Sequence, residues 1–434
     1  MTVGTIAVIG TGYVGLTSGA CLASLGHQVV CGDVIPEKVA SLSAGEVPIL
    51  EDGLDELVAS GLASGNLRFV LGADVAVAGA RYVFLCLPTP DDGDGRADLS
   101  IVRAVVKQIG PLLEPGAIVI TKSTVPVGTA KKLEKIIGRD DVALVSNPEF
   151  LQEGTAVKNF MNPDRVVVGS SDLAAAQEVA DLYGALGAPQ VITSAESSEM
   201  IKYAANAFLA MKLSFVNSIA ALAEEVGADV QEITRGMKDD PRIGDKFLKA
   251  GPGWGGSCFP KDTNALAAIA DDHDVRFPLL DATVTANRQA KDRVVDKVRR
   301  AVGGDLEGKV VAMWGLTFKA GTDDLRDSPA LIIAKLLAGE GASLRAYDPT
   351  VTEDMPASSR NPEIVIARDA YAATEGADVM VLLTEWPEFA ELDLAKVAAS
   401  TSSRVIVDGR NILDPVAVAA AGFDLVPLGR RHRS

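Results

Sequence analysis

Thr5-Ile-Ala-Val-Ile9 runs straight into Gly10-Thr-Gly12-Tyr13-Val14-Gly15, and Leu16 to Leu25 continues with helix-compatible apolar residues. The order is strand, tight turn, helix. A second strand, Gln28-Val-Val-Cys-Gly32, ends in Asp33, about 20 residues past the glycines, where a dinucleotide fold needs an acceptor for a ribose hydroxyl. Gly10, Gly12 and Gly15 with the intervening Tyr13 and Val14 are therefore read as a pyrophosphate turn,. A carboxylate at Asp33 repels a 2'-phosphate, so NAD is expected over NADP. Lys38, close by, is either a phosphate contact or a solvated lysine.

Further strands are expected at Tyr82-Val-Phe-Leu-Cys-Leu87, Ala117-Ile-Val-Ile-Thr121 and Val142-Ala-Leu-Val-Ser146, with helices such as Ser100 to Leu113 and Thr129 to Ile137 between them. Alternation of this kind specifies an α/β fold with a doubly wound parallel sheet. Each strand empties into a polar, proline-marked loop: Pro88-Thr89-Pro90, Lys122-Ser123-Thr124-Val-Pro126, and Asn147-Pro-Glu149-Phe150-Leu151-Gln-Glu153-Gly154. Ligands of such sheets bind at the carboxyl ends of strands. Position alone thus makes these loops site candidates, although each could be only a turn. Glu149 and Glu153 are either hydrogen-bond acceptors for hydroxyls and proton carriers, or solvated loop acids.

After Ser194 the pattern is helical for about thirty residues, with Met200, Tyr203, Ala207, Phe208, Met211 and Phe215 at helical spacing,. Lys202 and Asn206 lie four apart and share one face,. In a cleft such a pair stabilises a developing oxyanion; on a solvated face it does nothing. Spacing does not choose between these.

Next comes Gly251-Pro-Gly-Trp-Gly-Gly255-Ser-Cys258-Phe-Pro-Lys261-Asp262-Thr263, whose glycines allow backbone to approach a ligand and whose thiol is its one soft nucleophile,. Pro260 suits the first turn of the helix implied by Asn264-Ala-Leu-Ala-Ala-Ile-Ala,. Cys258 would then sit beside a helix N-terminus, and Lys261 near it, both favouring a thiolate. A buried, inert cysteine is the alternative, and the crowding of glycines argues against it.

From Gly308 the alternation restarts with Lys309-Val-Val-Ala-Met-Trp-Gly315, a helix Pro329 to Ala338, then Ser343 to Asp348, Ala377 to Leu383 and Arg404 to Gly409. No GxGxxG follows the first of these strands. In its place stand Phe318, Lys319 and Arg326, and Arg410 follows the last strand. Cations at strand ends suit a diphosphate; ordinary surface charge is the other reading. The fold expected is two Rossmann-like doubly wound parallel sheets joined by a central helical segment with a long helix. Its divisions would be 1–195, 196–304 and 305–434, with Gly429 to Ser434 as a tail.

A chain of 434 residues, 48% of them hydrophobic, has material for several cores,. Its net charge of -17 argues against a nucleic-acid or anionic-membrane surface. Cys21, Cys31, Cys86 and Cys258 form no CxxC pair, and His27, His273 and His432 show no ligand spacing, so no metal is expected,. There is no cleavable leader pattern and no uninterrupted apolar run near ~18 residues. A cytoplasmic protein that neither crosses nor binds membranes is the expectation.

With GxGYVG, Lys122-Ser-Thr-Val-Pro-Val-Gly-Thr129, Asn147 to Gly154, the Lys202/Asn206 helix, Gly251 to Asp262, Phe318-Lys319 and Asp408-Gly-Arg410, the chain resembles the UDP-glucose/GDP-mannose dehydrogenase family. The resemblance spans essentially the whole chain. It implies oxidation of a UDP-sugar C6 alcohol to a carboxylate with two NAD, through an aldehyde and a thioester on Cys258. Lys202 and Asn206 would polarise the C6 oxygen, Asp262 with Thr124 would position water, and Glu149 would assist thioester hydrolysis. By the same resemblance Glu149, Phe150, Leu151, Phe247, Leu248, Lys249, Gly251, Gly255, Phe318, Lys319 and Arg410 would hold the nucleotide sugar. Thr89, Thr124, Glu153, Lys261 and Arg326 would line the NAD side. Arg242 resembles the arginine lent to a neighbouring subunit, implying a homodimer.

One bottom-up argument runs parallel to the resemblance. Converting an alcohol to an acid benefits from a covalent stage that retains the aldehyde for its second oxidation, and Cys258 can supply it. Sister branches acting on UDP-N-acetylmannosamine or GDP-mannose share that chemistry; the Phe247-to-Gly251 segment looks more like the UDP-glucose branch. A two-electron hydroxy-acid dehydrogenase would explain neither the second sheet nor Cys258. A catalytically silent nucleotide-sugar sensor would have no need of Cys258, Lys202, Asn206 and Asp262 together.

Overall fold

The computed structural model describes residues 4–353, 355 and 363–430; His432 and most of the expected tail lie outside them. The chain divides into two compact units, Met1–Ala205 with Asn264–Val275, and Asn206–Thr263 with Arg276–Ser434. Each is built on one sheet.

In the first unit the strands are β1 (Thr5–Ile9), β2 (Val29–Asp33), β3 (Leu67–Leu71), β4 (Ala80–Leu85), β5 (Ile118–Thr121), β6 (Ala143–Ser146), β7 (Val166–Gly169) and β8 (Gln190–Thr193). Their order is β3-β2-β1-β4-β5-β6-β7-β8. Alternate residues of one strand enter different cores: Ile6 and Val8 pack into one cluster, Ala7 and Ile9 into another. A sheet buried on both faces has no polar side to show water, which is why these strands read as continuous apolar runs. Pairing is parallel except between β6 and β7, which meet antiparallel at Ser146 and Gly169. The parallel sheet expected from the sequence thus gains a reversed step.

The second unit orders β9 (Val310–Trp314), β10 (Ser343–Tyr347), β11 (Ile364–Ile366), β12 (Val379–Leu382), β13 (Val405–Asp408) and β14 (Asp424–Pro427) as β11-β10-β9-β12-β13-β14. All its pairings are parallel. Val311 and Met313 face one core, Ala312 and Trp314 the other. The centre of this sheet repeats that of the first. Gly10 N–H donates to Gly32 O at 2.8 Å after β1, and Gly315 N–H donates to Tyr347 O at 2.8 Å after β9. In both, an aspartate at the end of the second strand or directly after it accepts from a threonine past the glycine, Asp33 from Thr11 and Asp348 from Thr317. The two aspartates differ in company. Asp348, 1% exposed, also accepts from Leu316 N, Thr317 Oγ1, Trp386 Nε1, Thr350 N and Thr350 Oγ1.

The long helix is Ala195–Val226, 32 residues. Its most apolar 18-residue window has a mean hydropathy of 1.3 and is 33% buried, so by length and composition alone it could span a bilayer. Lys202, Asn206 and Lys212 interrupt it. Phe208, Phe215, Leu222 and Val226 are exposed along it at 58%, 50%, 58% and 68%.

Candidate active site

The turn after β1 fits a dinucleotide. Gly12 caps the Tyr13–Ser24 helix without a side-chain acceptor, so the first-turn amides are not claimed by a cap,. A Cβ at Gly15 would lie 1.9 Å from Gly10 O, so only glycine lets strand and helix meet there, whereas nothing stands within 4 Å of a Cβ at Gly12. Tyr13 serves the frame: its hydroxyl donates to Glu51 and accepts from Gly154 N at 2.7 Å. Val14 packs against the core.

Asp33 accepts at one oxygen from Thr11 N (3.0 Å) and Thr11 Oγ1, and at the other from Val34 N (2.8 Å) and Ile35 N (3.2 Å). Lys38 pairs with it at 3.4 Å. Burial pushes this carboxyl up, but the Thr11 bonds, Lys38 and Ile35 together hold it below its ordinary value. It is an ionised acceptor, suited to a ribose hydroxyl and hostile to a phosphate.

At the carboxyl ends of β4, β5 and β6 three loops meet. Thr89 Oγ1 donates to Thr124 O at 3.0 Å. Glu149, itself buried, accepts from Lys202 Nζ at 2.7 Å and from Leu151 N at 2.6 Å. Burial raises this acid, yet the Lys202 charge and bond, the Leu151 amide and Lys122 outweigh it and leave it ionised. The Lys202–Glu149 pair is therefore a desolvated ion pair, its side chains 3% and 8% exposed. Lys202 Nζ also lies 5.4 Å from the Phe150 ring centre, and the Arg165 guanidinium stacks over that ring at 3.6 Å. Glu149, Phe150 and Leu151 line a recess of about 70 Å³ with Lys122, Asn147 and Arg165. Glu153 is half-buried.

In the second unit Cys258 stands where the sequence predicts. Its carbonyl accepts from Asp262 N at 2.8 Å, just ahead of the Phe259–Asp272 helix, and the thiol is partly exposed. Asp262, 1% exposed, accepts from Asn206 Nδ2 at 2.6 Å and pairs with Lys261 Nζ at 2.5 Å. Lys261, expected to act on the thiol, is thus engaged by its own neighbour. Gly251 N donates to Asn217 Oδ1 at 2.9 Å, and a Cβ on Gly251 would meet Arg410 Nη1 at 3.3 Å. Arg410 is anchored by Leu383 O (2.7 Å), Phe318 O (3.0 Å) and Glu385 (3.0 Å). Lys319 Nζ lies 5.6 Å from the Phe318 ring. Phe247 has a φ of 59° and its ring packs 6.1 Å from Phe259, beside buried Leu248, while Lys249 is exposed.

Within each unit the expected residues therefore gather: Asp33 with Lys38, Thr89 with Thr124, Glu149 with Lys202 and Phe150, Asn206 with Asp262, Gly251 with Arg410. Two are engaged elsewhere, Arg326 with Asp324 (2.8 Å) and Arg242, its side chain 87% exposed, with Asp240 (2.6 Å). Sequence reasoning placed Lys122 in a candidate loop but gave it no role; it is buried, donates to Asn147 Oδ1 at 3.1 Å and Tyr183 Oη at 3.3 Å, and is lowered to about 8 by burial. The signal was present: a lysine directly after a core strand has nowhere solvated to go.

Residues 4–187 match the NAD binding domain of the UDP-glucose/GDP-mannose dehydrogenase family, 196–289 its central domain and 312–415 its UDP binding domain. The chain is similar to the UDP-glucose 6-dehydrogenase of Rhizobium meliloti, 47% identical over 98% of this chain and 99% of that one. Among solved structures it resembles a UDP-glucose dehydrogenase from Pyrobaculum islandicum, with a TM-score of 0.90 and 34% identity over 95% of this chain and 96% of that one. A UDP-D-ManNAc dehydrogenase from Pyrococcus horikoshii is similar at a TM-score of 0.87 and 27% identity over 99% and 100%.

Proposed function

This chain belongs to the UDP-glucose/GDP-mannose dehydrogenase family, and from that premise we propose that it oxidises UDP-glucose at C6 to UDP-glucuronate, with NAD as oxidant and two NADH per sugar. NAD, when bound, supplies the hydride acceptor for each oxidation. The chain's own groups do the rest. Lys202 and Asn206, one helical turn apart, hold the C6 oxygen, and its proton passes to the water that Asp262 with Thr124 holds as hydride leaves the carbon. The Cys258 thiol adds across the resulting aldehyde, forming a carbon–sulfur bond. A second hydride and proton leave that adduct to give a thioester. Water, held by Asp262 with Thr124 and assisted by Glu149, breaks the carbon–sulfur bond, returning the thiol and releasing the carboxylate.

The observation that carries this reading is Cys258 one turn before Asp262, with Asp262 bonded to Asn206. A nucleophile, a buried carboxylate and an amide so arranged serve a covalent oxidation rather than a simple one. Glucose is favoured over N-acetylmannosamine because the relatives of higher identity carry the UDP-glucose name. The test is a panel of UDP-glucose, UDP-N-acetylmannosamine and GDP-mannose followed at 340 nm. UDP-glucose should give two NADH per sugar; a single NADH, or preference for another sugar, refutes the assignment.

We place the cofactor turn in residues 1–195, the thiol loop in 196–304 and the nucleotide-sugar site in 305–434, divisions that the three matched segments support. The remaining site assignments follow the resemblance. Phe247, Leu248, Lys249, Gly251, Gly255, Phe318, Lys319 and Arg410 belong to the sugar nucleotide; Thr89, Glu153, Lys261 and Arg326 belong to the cofactor. A homodimer is part of the reading, supported by the exposed apolar stripe of the long helix,, with Arg242 reaching the second copy. So is a cytoplasmic location with neither membrane nor nucleic acid as partner.

A further inference from the structure

The loop leading to Cys258 has no helix or strand from Leu248 to Gly255. Something other than a backbone ladder must give it a shape, because buried main-chain groups need partners. Asn287, in the middle of the Pro278–Ala301 helix and 6% exposed, supplies them. Its Oδ1 accepts from Trp254 N at 2.8 Å and its Nδ2 donates to Trp254 O at 3.0 Å. One amide side chain thus meets both main-chain groups of one residue, as the neighbouring strand of a sheet would. Access for that amide depends on Gly253, whose φ is 115° and whose Cβ, if present, would stand 2.7 Å from Asn287 Oδ1. Ser214 fixes the other end of the same residue. Its Oγ accepts from Trp254 Nε1 at 2.9 Å and donates to Thr283 O at 2.7 Å. The indole in turn packs edge-on against Phe259, 6.2 Å between ring centres, and Phe259 is the residue after Cys258.

We propose that Asn287 is a positioning residue for Cys258, standing in for a β-strand that pins Trp254 and, through the indole and Phe259, sets where the thiol enters its helix. The proposal rests on the reading of Cys258 as nucleophile, which neither Asn287 nor Ser214 touches. A displaced nucleophile loses rate steeply, about a hundredfold for an ångström. Packing alone would not do this: a residue that merely fills space lowers stability and leaves the folded enzyme's thiol as it was.

The test uses the full-length protein with Asn287→Ala and Ser214→Ala. Cofactor-free protein is alkylated with iodoacetamide from about pH 6 to about pH 9, and modification of Cys258 is followed by mass spectrometry of its peptide. Cys21, Cys31 and Cys86 are buried and report separately. Asn287→Ala should change the Cys258 alkylation rate by roughly fivefold or more with a displaced pH profile. It should also lower kcat by roughly 10- to 100-fold while KM for NAD stays within about threefold. Ser214→Ala should move the same quantities in the same direction by less, and it carries the test alone if Asn287→Ala does not fold. Folded variants with the parent's alkylation profile and kcat within about twofold would overturn the proposal, whatever their melting temperatures. Altered alkylation with unaltered NADH formation would keep the positioning role and count against the thioester reading instead.

Discussion

Replacing Lys202 with methionine keeps the aliphatic stem and removes the charge from a pair whose members are 3% and 8% exposed and 2.7 Å apart. Glu149 is then a buried carboxylate with no direct cation. Removing one partner of such a pair costs about 3–5 kcal/mol. For a unit of about two hundred residues, where 1 kcal/mol moves Tm by roughly 2–4 °C, the first unit should melt roughly 6–20 °C lower at neutral pH. The sign with pH follows from Glu149. In the parent its pKa is depressed, so its stabilisation is present above the unfolded value of 4.5 and fades as pH falls through the folded one,. In Lys202→Met, burial is opposed only by the Leu151 amide and Lys122, the group rises, and protonation relieves the penalty. The gap in Tm between parent and variant should therefore be widest near neutrality and narrow as pH falls toward about 4. Adding Glu149→Gln should recover more than half of the loss, since two neutral groups of similar shape leave no buried charge. Differential scanning calorimetry across pH measures all three proteins. A double variant no more stable than Lys202→Met, or a gap that does not depend on pH, would refute the argument that an uncompensated Glu149 is the cause.

Cys258→Ala should leave binding of NAD and UDP-glucose within about tenfold, ~1.4 kcal/mol, while formation of the acid falls by more than about a hundredfold; two NADH per sugar at the parent rate would make the thiol structural. Cys258→Ser should still attack the aldehyde but release the acid slowly, leaving a glucuronyl-nucleotide adduct on the Gly251–Lys261 peptide that mass spectrometry detects. Asp33→Ala should narrow the preference for NAD over NADP, compared by kcat/KM, because it removes the acceptor that Thr11 and Lys38 keep ionised; equal use of NADP by the parent would count against that role. Mixing Arg242→Ala chains with Cys258→Ala chains should restore activity through hybrid sites, and none in verified mixed dimers would return Arg242 to its own subunit.

Local chemistry made much of this legible. The β1 turn could be read because glycine spacing, strand and acid all lie within one short stretch, and the long helix because its apolar residues keep a helical period. β3, β8, β11 and β14 escaped because each carries exposed positions that break the apolar run by which the fully buried β5 could be read,. Among site residues the misses are those whose partners are remote in sequence. Lys122 takes its meaning from Asn147 and Tyr183, 25 and 61 residues on. Asn287 looks like one more polar residue on an amphipathic helix until Trp254 is brought to it, 33 residues away in the chain. Lys261 also has a partner that the sequence reading did not name, its neighbour Asp262 at 2.5 Å.

The two sheets share a centre, and the difference between their aspartates bears on which turn can seat a cofactor. A carboxylate offers about four lone-pair sites. Asp33 meets four donors and Lys38 with 10% of its side chain exposed, whereas Asp348 meets six donors, Trp386 among them, and is 1% exposed, so Asp33 is the more accessible of the two. Under the proposed function the β1 turn would serve as the berth for both hydride transfers. On that reading the first reduced cofactor would have to sail before the second oxidised one could dock, with the half-oxidised sugar still aboard. On that timetable a covalent hold through Cys258 would keep the aldehyde from escaping during the changeover.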